Sequence, residues 1–216
     1  MATILWFSPH ADDDTLTFGA GISNHVGAGH RNIVVLCSDG SNSAVRQQIG
    51  LEVWAFADAR DDEFRRAVRR LGVRGEHSVV SRHRCEDGQL SVARSRRVVL
   101  AALDEFPGAW VKTMSNRVAA GRHNDHVNMG QAAVDLHTAG VITNLRLYVE
   151  PYALAAFRSA TGLNPTREAG SQRVVDAVDE YKRVDEAAGM WGIGYRSVPA
   201  YFDATRADPA SWYHLP

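Results

Sequence analysis

The stretch Ile4-Leu5-Trp6-Phe7-Ser8-Pro9-His10-Ala11-Asp12-Asp13-Asp14 decides the fold: an unbroken apolar run passes directly into a turn carrying an imidazole and three carboxylates. A short, continuous apolar run is the pattern of a strand covered on both faces, as in a parallel sheet. Beyond it, Phe18, Ile22 and Val26 recur at i, i+4 and i+8, one face of a helix. Strand, polar turn and helix form the opening unit of an α/β protein, in which ligands gather at the carboxyl ends of the strands. The turn after this strand is therefore the first place to look for chemistry.

The same alternation continues along the chain. Residues 33–37 and Leu145–Val149 are aliphatic runs of strand length, with Trp110–Met114 a further strand. Helical spacing returns in Phe64, Ala67, Val68 and Leu71, in Val99, Ala102, Leu103 and Phe106, and in Met129, Ala132, Ala133 and Leu136. A looser repeat, Ala177, Tyr181, Val184 and Ala188, predicts a closing helix. The pattern predicts one layered α/β domain, a mostly parallel sheet between two layers of helices. Residues 76–90 lack periodicity and read as a surface excursion, residues 151–170 as a loop-rich region able to wall a pocket, and residues 189–216 as an extended C-terminal arm.

With 216 residues, 45% of them hydrophobic, the chain suits one domain and is short for two. Its 24 basic and 25 acidic residues leave a formal charge of −1, so no global excess recruits nucleic acid or an anionic membrane. A small-molecule substrate is the expected partner, with a homo-oligomer left open. Cys37 and Cys85 make neither a disulfide framework nor a CxxC pair, which suits a reducing cytoplasm. The apolar N-terminus is too short for a signal peptide and lacks a basic lead, and no apolar run reaches the ~20 residues of a spanning helix.

Two clusters carry the chemistry. In the first, His10, Asp12, Asp13 and Asp14 are crowded into five positions. An aspartate at a helix start is a favoured cap, but three exceed capping needs, and their mutual repulsion asks for a cation. In the second, Gly121-Arg122-His123-Asn124-Asp125-His126 follows the strand Trp110–Met114 and opens the helix through Leu136, the equivalent rim position. His123 and His126 fall on one face of a first helical turn, with Asp125 close enough to orient either ring. Mixed imidazole and carboxylate donors suit zinc.

Together the two clusters resemble the LmbE-like/PIG-L deacetylases, whose signature is a strand-end (P/A)HPDDE followed by HxDH in a single Rossmann-like, three-layer α/β domain. The resemblance extends to Ser38-Asp39-Gly40, to Arg60 and Glu63 leading into Leu71-Gly72, and to the last helix with Lys182. It implies a zinc-dependent hydrolase that removes an N-acetyl or related N-acyl group, on an amino sugar or sugar-containing metabolite. His10, Asp13 and His126 become the zinc ligands, with an open position for water. Asp12 becomes the general base and His123 the electrophilic partner that steadies the oxyanion. Asp125, Asp39 and Asp14 would support the ligands through hydrogen bonds, and Arg60 would contact substrate at the pocket wall. Asp39 is equally the start of an Asp-Gly turn, and the pairing of Arg60 with Glu63 is equally an ordinary surface arrangement.

Two positions depart from the signature: Ala11 stands for proline and Asp14 for glutamate, and neither change removes a ligand. The donor set also suits iron(II) or another divalent metal. Competing readings are hydrolysis of a non-sugar amide or carbamate, and a non-catalytic sugar- or nucleotide-binding module. The absence of GxGxxG and Walker motifs speaks against the module. No GxSxG elbow surrounds Ser8, and Cys85 has no paired histidine, so a covalent nucleophile is not expected.

Overall fold

A computed structural model of the chain describes residues 1–117 and 123–216. Its strands are β1 (Thr3–Ser8), β2 (Arg31–Ser38), β3 (Ser78–Cys85), β4 (Trp110–Met114), β5 (Leu145–Val149), β6 (Thr166–Ala169), β7 (Val184–Asp185), β8 (Met190–Trp191) and β9 (Ala210–His214). The α-helices are α1 (Asp13–Leu16), α2 (Gly19–Gly27), α3 (Ala44–Ile49), α4 (Val53–Arg70), α5 (Val92–Glu105), α6 (Asn124–Thr138), α7 (Leu154–Thr161), α8 (Gln172–Tyr181), α9 (Ile193–Ser197) and α10 (Pro199–Ala207).

Seven strands form one sheet in the order β3-β2-β1-β4-β5-β9-β6, and β7 pairs with β8 in a small hairpin. Strands β1 to β5 run parallel, while β9 enters antiparallel to both β5 and β6. The four apolar residues of β1 are fully buried and divide between two cores. Ile4 and Trp6 pack with Phe18, Phe64, Val178 and Phe202 on one face, and Leu5 and Phe7 pack with Val99, Met129 and Leu136 on the other. Side chains alternate along a strand, so continuous apolarity feeds two helical layers at once. The result is a mixed, mostly parallel sheet between helices, in a single domain.

The chain winds outward from β1 in both directions, to β2 on one side and β4 on the other. This reversal opens a crevice at the carboxyl ends of β1 and β4, where connecting segments diverge instead of crossing over the sheet. Both sequence clusters leave from these two strand ends. Helix α6 is pressed against the end of β4 by Gly130, where a Cβ would stand 2.5 Å from both Met114 O and Asn116 N. Only glycine permits that approach, which brings the first turn of α6 over the crevice.

Four expectations need correction. Residues 76–90 contain β3, an edge strand whose Arg82, His83 and Arg84 mask the period; such charges are usual on a sheet edge. Residues 151–170 contain α7 and β6 rather than a loop. The expected C-terminal arm, residues 189–216, instead forms α9, α10 and the inserted strand β9. The closing helix stops at Tyr181, and Val184 lies in the small hairpin that follows. Gly121 and Arg122 of the second cluster lie outside the described residues.

Candidate active site

At the β1 turn, the backbone N–H of His10 donates to Asp13 Oδ2 at 2.9 Å, closing the loop on itself before α1 begins. His123 caps α6, its Nδ1 accepting from the Asp125 N–H at 3.3 Å, so His126 falls one turn inside the helix. The crevice thus brings residues more than a hundred positions apart into contact. His10 Nδ1 lies 2.9 Å from His126 Nε2, Asp13 Oδ2 lies 3.3 Å from His126 Nε2, and Asp13 Oδ2 lies 3.6 Å from His10 Nδ1.

Each ring is held from behind by carboxylates. His126 Nδ1 meets Glu150 Oε1 at 2.7 Å, and His10 Nε2 meets Asp87 Oδ1 at 3.2 Å and Asp125 Oδ2 at 3.3 Å. A ring nitrogen that donates to a carboxylate leaves the other nitrogen's lone pair turned inward, the arrangement that orients metal-binding histidines. Two lone pairs and a carboxylate oxygen then converge on one point. Neighbouring donors around a tetrahedral zinc stand about 3.3–3.6 Å apart; the two separations to Asp13 match, and the His10–His126 pair at 2.9 Å is shorter and opens to that span when an ion enters. A proton can satisfy one edge of this triangle, whereas a divalent cation satisfies all three. Burial opposes charge on His10, but the bonds from Asp125, Asp13 and Asp87 outweigh it and raise its pKa well above the ordinary value. Asp13 is held far below the usual carboxylate range: burial would raise it, but the neighbouring His126 and His10 prevail. Both shifts express the same demand for positive charge.

Asp12 stands beside the triangle without belonging to it. Burial pushes its carboxyl up to about 6, Arg60 opposing and Asp13 adding to the effect. Arg60 Nη2 is 3.2 Å from Asp12 Oδ2 and also donates to the Ala11 carbonyl, fixing the carboxylate and its peptide together. Arg60 and Glu63 are both buried, so their pairing at 3.2 Å is an interior one and not the surface arrangement. His123 is the exposed member, with its side chain 44% accessible and Nε2 at 3.6 Å from Asp87 Oδ1. Because Nδ1 accepts an amide N–H, its neutral ring carries the proton on Nε2. His10, Asp12, Asp13, Arg60, His123 and His126 all line one chamber of about 260 Å³.

A model of the family PIG-L, GlcNAc-PI de-N-acetylase, matches residues 5–137, more than half of the chain and inclusive of both clusters. The chain belongs to the PIG-L family. No curated protein sequence matches it significantly. Among solved structures, it is similar to Dbv21, a deacetylase of the A40926 pseudoaglycone, with a TM-score of 0.66 and 21% identity over 97% of this chain and 93% of that one. It is also similar to the N,N'-diacetylchitobiose deacetylase of Pyrococcus horikoshii, with a TM-score of 0.66 and 15% identity over 99% and 83% of the two chains. The 4-carboxy-2-hydroxymuconate hydratase GalB of Pseudomonas putida follows at 0.58 and 17%, over 96% and 89%. These likenesses establish the fold; a hydratase among them shows that the fold alone does not name the reaction.

In this PIG-L family member the remaining expected residues divide. Asp125 is buried and accepts from the Gly88 and Leu90 amides at 2.9 and 3.0 Å, so it clamps the segment after β3 as well as His10. Asp39 accepts from Ser41 N at 2.9 Å and Asp87 N at 3.1 Å, serving the turn and the site together. Asp14 turns away: its oxygens accept from Thr15 Oγ1 and Tyr181 OH, both at 2.8 Å, and burial pushes it up to about 7. Neither Thr15 nor Tyr181 belongs to the triangle.

Sequence reasoning missed Asp87 and Glu150, and gave Glu63 no role beyond its pairing with Arg60. Glu150 directly follows β5, and Asp87 follows β3, so the strand-end rule that found the other clusters would have found these as well. Glu63 accepts the backbone N–H groups of Ile193 and Gly194, joining the tail to Arg60. Position 194 must be glycine, since a Cβ would approach Tyr181 Cδ1 to 2.7 Å and Arg60 Nη1 to 2.9 Å.

Proposed function

We propose that the chain is a zinc-dependent amide hydrolase that removes an N-acetyl group from an amino sugar or a sugar-containing small molecule. The observation that carries this reading is the convergence of His10 Nδ1, Asp13 Oδ2 and His126 Nε2, with the Asp12 carboxylate beside them and outside the donor set. A bound zinc ion supplies Lewis acidity, polarising the amide carbonyl and acidifying water. Iron(II) suits the same donors. The sugar substrate is supported by the family and by the diacetylchitobiose deacetylase among similar folds.

The chain's own residues do the proton work. Asp12, with a carboxyl near 6, accepts the proton of the attacking water, and Arg60 keeps it facing the chamber. His123 Nε2–H donates to the carbonyl oxygen as charge develops there. Collapse breaks the C–N bond, and the proton taken by Asp12 passes to the departing amine, releasing acetate and a free amino group. Glu150 and the pair Asp87 and Asp125 fix the two rings, so no ligand need reorient during turnover.

The test is acetate release from methyl 2-acetamido-2-deoxyglucoside and from a non-sugar acetamide, with and without chelator. Chelator-sensitive release from the sugar supports the reading. Release from the non-sugar amide alone moves the substrate class, and release that survives complete metal removal overturns the mechanism.

A further inference from the structure

We propose that the catalytic chamber continues past Tyr152 and Tyr201 into an apolar subsite for the aglycone of the substrate, a group the size of one six-membered ring or a short alkyl chain. This rests on the deacetylase reading above and adds what that reading leaves unspecified, the class of substituent that the sugar carries.

A second cavity of about 200 Å³ adjoins the chamber, its lining mostly apolar with Leu16, Pro151, Tyr152, Tyr201, Ala204 and Trp212, and polar at Thr205 and Asp208. Leu16, Tyr152 and Tyr201 belong to both spaces. The two tyrosine rings are stacked, with centroids 3.9 Å apart and planes 6° from parallel, so they form one aromatic partition. Both rings keep much of their surface accessible, 48% for Tyr152 and 36% for Tyr201. Large aromatic faces left partly open beside a catalytic chamber are suited to an apolar or ring-shaped group that covers them.

Size and position select the occupant. An apolar cavity of ~150 Å³ holds a benzene molecule, so this one admits a single ring or a chain of about four to six carbons. Among the described residues no arginine or lysine lines it, and Asp208 is paired with Arg167, so an anionic substituent is not what it is built for. The reacting amide must lie against the triangle, whose Asp13 and His126 are each 5% exposed, and the tyrosines stand toward solvent. An acetyl group is small enough to stay at the buried end. The sugar projects outward, and its aglycone meets the tyrosines.

The subsite is read by equilibrium binding, with calorimetry on the metal-loaded protein. The probes are methyl 2-acetamido-2-deoxyglucoside, its phenyl counterpart and the N-hexanoyl analogue of the methyl compound. The phenyl glycoside is expected to bind about tenfold tighter than the methyl glycoside. Ala204→Trp fills the cavity from an exposed helix position outside the chamber, and it brings that ratio to about one while leaving methyl glycoside binding and acetate release unchanged. Tyr201→Ser lowers the ratio by removing one face of the partition, a readout that does not depend on the tryptophan being accommodated. Equal or undetectable binding of the methyl and phenyl compounds, a preference that survives Ala204→Trp, or a preference for the N-hexanoyl compound instead overturns the aglycone subsite. Acetate release from the methyl glycoside reports the deacetylase reading separately, so either can fail without the other.

Discussion

The rim beneath the crevice and the wall contributed by the tail are built on opposite principles. At the rim, two segments of a few residues each supply His10, Asp12, Asp13, His123 and His126, and every ring or carboxylate is fixed by a charged neighbour or a backbone amide. The tail wall is aromatic and partly exposed, assembled from Tyr201 and Ala204 of α10, Trp212 of β9 and, from the turn after β5, Tyr152. Chemistry needs fixed charges at fixed distances, which short local motifs at a topological switch point provide. Choice among substrates needs shape, which distant segments provide once the sheet has brought them together. Glu63 links the two regions: it accepts from the backbone of α9 and holds Arg60, which in turn holds Asp12.

Four substitutions sharpen or break this contrast, in decreasing order of expected effect. Asp13→Ala removes one corner of the triangle and should abolish both tight metal binding and turnover, a loss of at least ~10⁴ in kcat/KM measured on protein with its metal content determined in parallel. Asp12→Asn keeps the triangle and should retain metal while kcat falls by about 10²–10⁴. Loss of metal in Asp12→Asn would erase the distinction between the adjacent aspartates. Glu150→Gln weakens the support behind His126, and metal affinity by competitive chelation should fall ~10–100-fold with the wall unaffected.

The smallest effect lies in the middle of strand β4. Lys112 is fully buried, its ammonium 3.0 Å from Asn144 Oδ1, and burial, reinforced by Arg146 and opposed by Glu168, pushes its pKa down to about 7. The folded protein therefore binds fewer protons than the unfolded chain between about pH 7 and 10. Wild-type stability is expected to rise across that window through this group, with the full penalty present below pH 7. Lys112→Met should remove the slope and add roughly 1–2 kcal/mol near neutrality, read from denaturant unfolding at several pH values, without altering metal binding or turnover. A wild-type slope retained in the variant would assign the pH dependence elsewhere.

Legibility followed the same contrast. The buried strands announced themselves because both their faces are covered, as Ile4 to Phe7 illustrate, and the rim side chains stood out as dense polar clusters directly after strands. Strand β3 hid behind Arg82, His83 and Arg84, since an edge strand carries the polarity of a loop. With β3 unread, Asp87 had no strand end to belong to. Strand β9 was hidden for another reason: its partners β5 and β6 come from earlier in the chain, and pairing of that kind leaves no local period. Asp14 shows the reverse error, in which proximity in sequence suggested a shared task while the side chain turned to Tyr181.

The most direct test of the central claim is elemental analysis of wild-type protein and the His126→Ala variant, each reconstituted with zinc and dialysed. Convergence of His10, Asp13 and His126 on one cation predicts about one equivalent retained by the wild type and none by the variant. A full equivalent retained by His126→Ala, or no metal retained by the wild type, would contradict it.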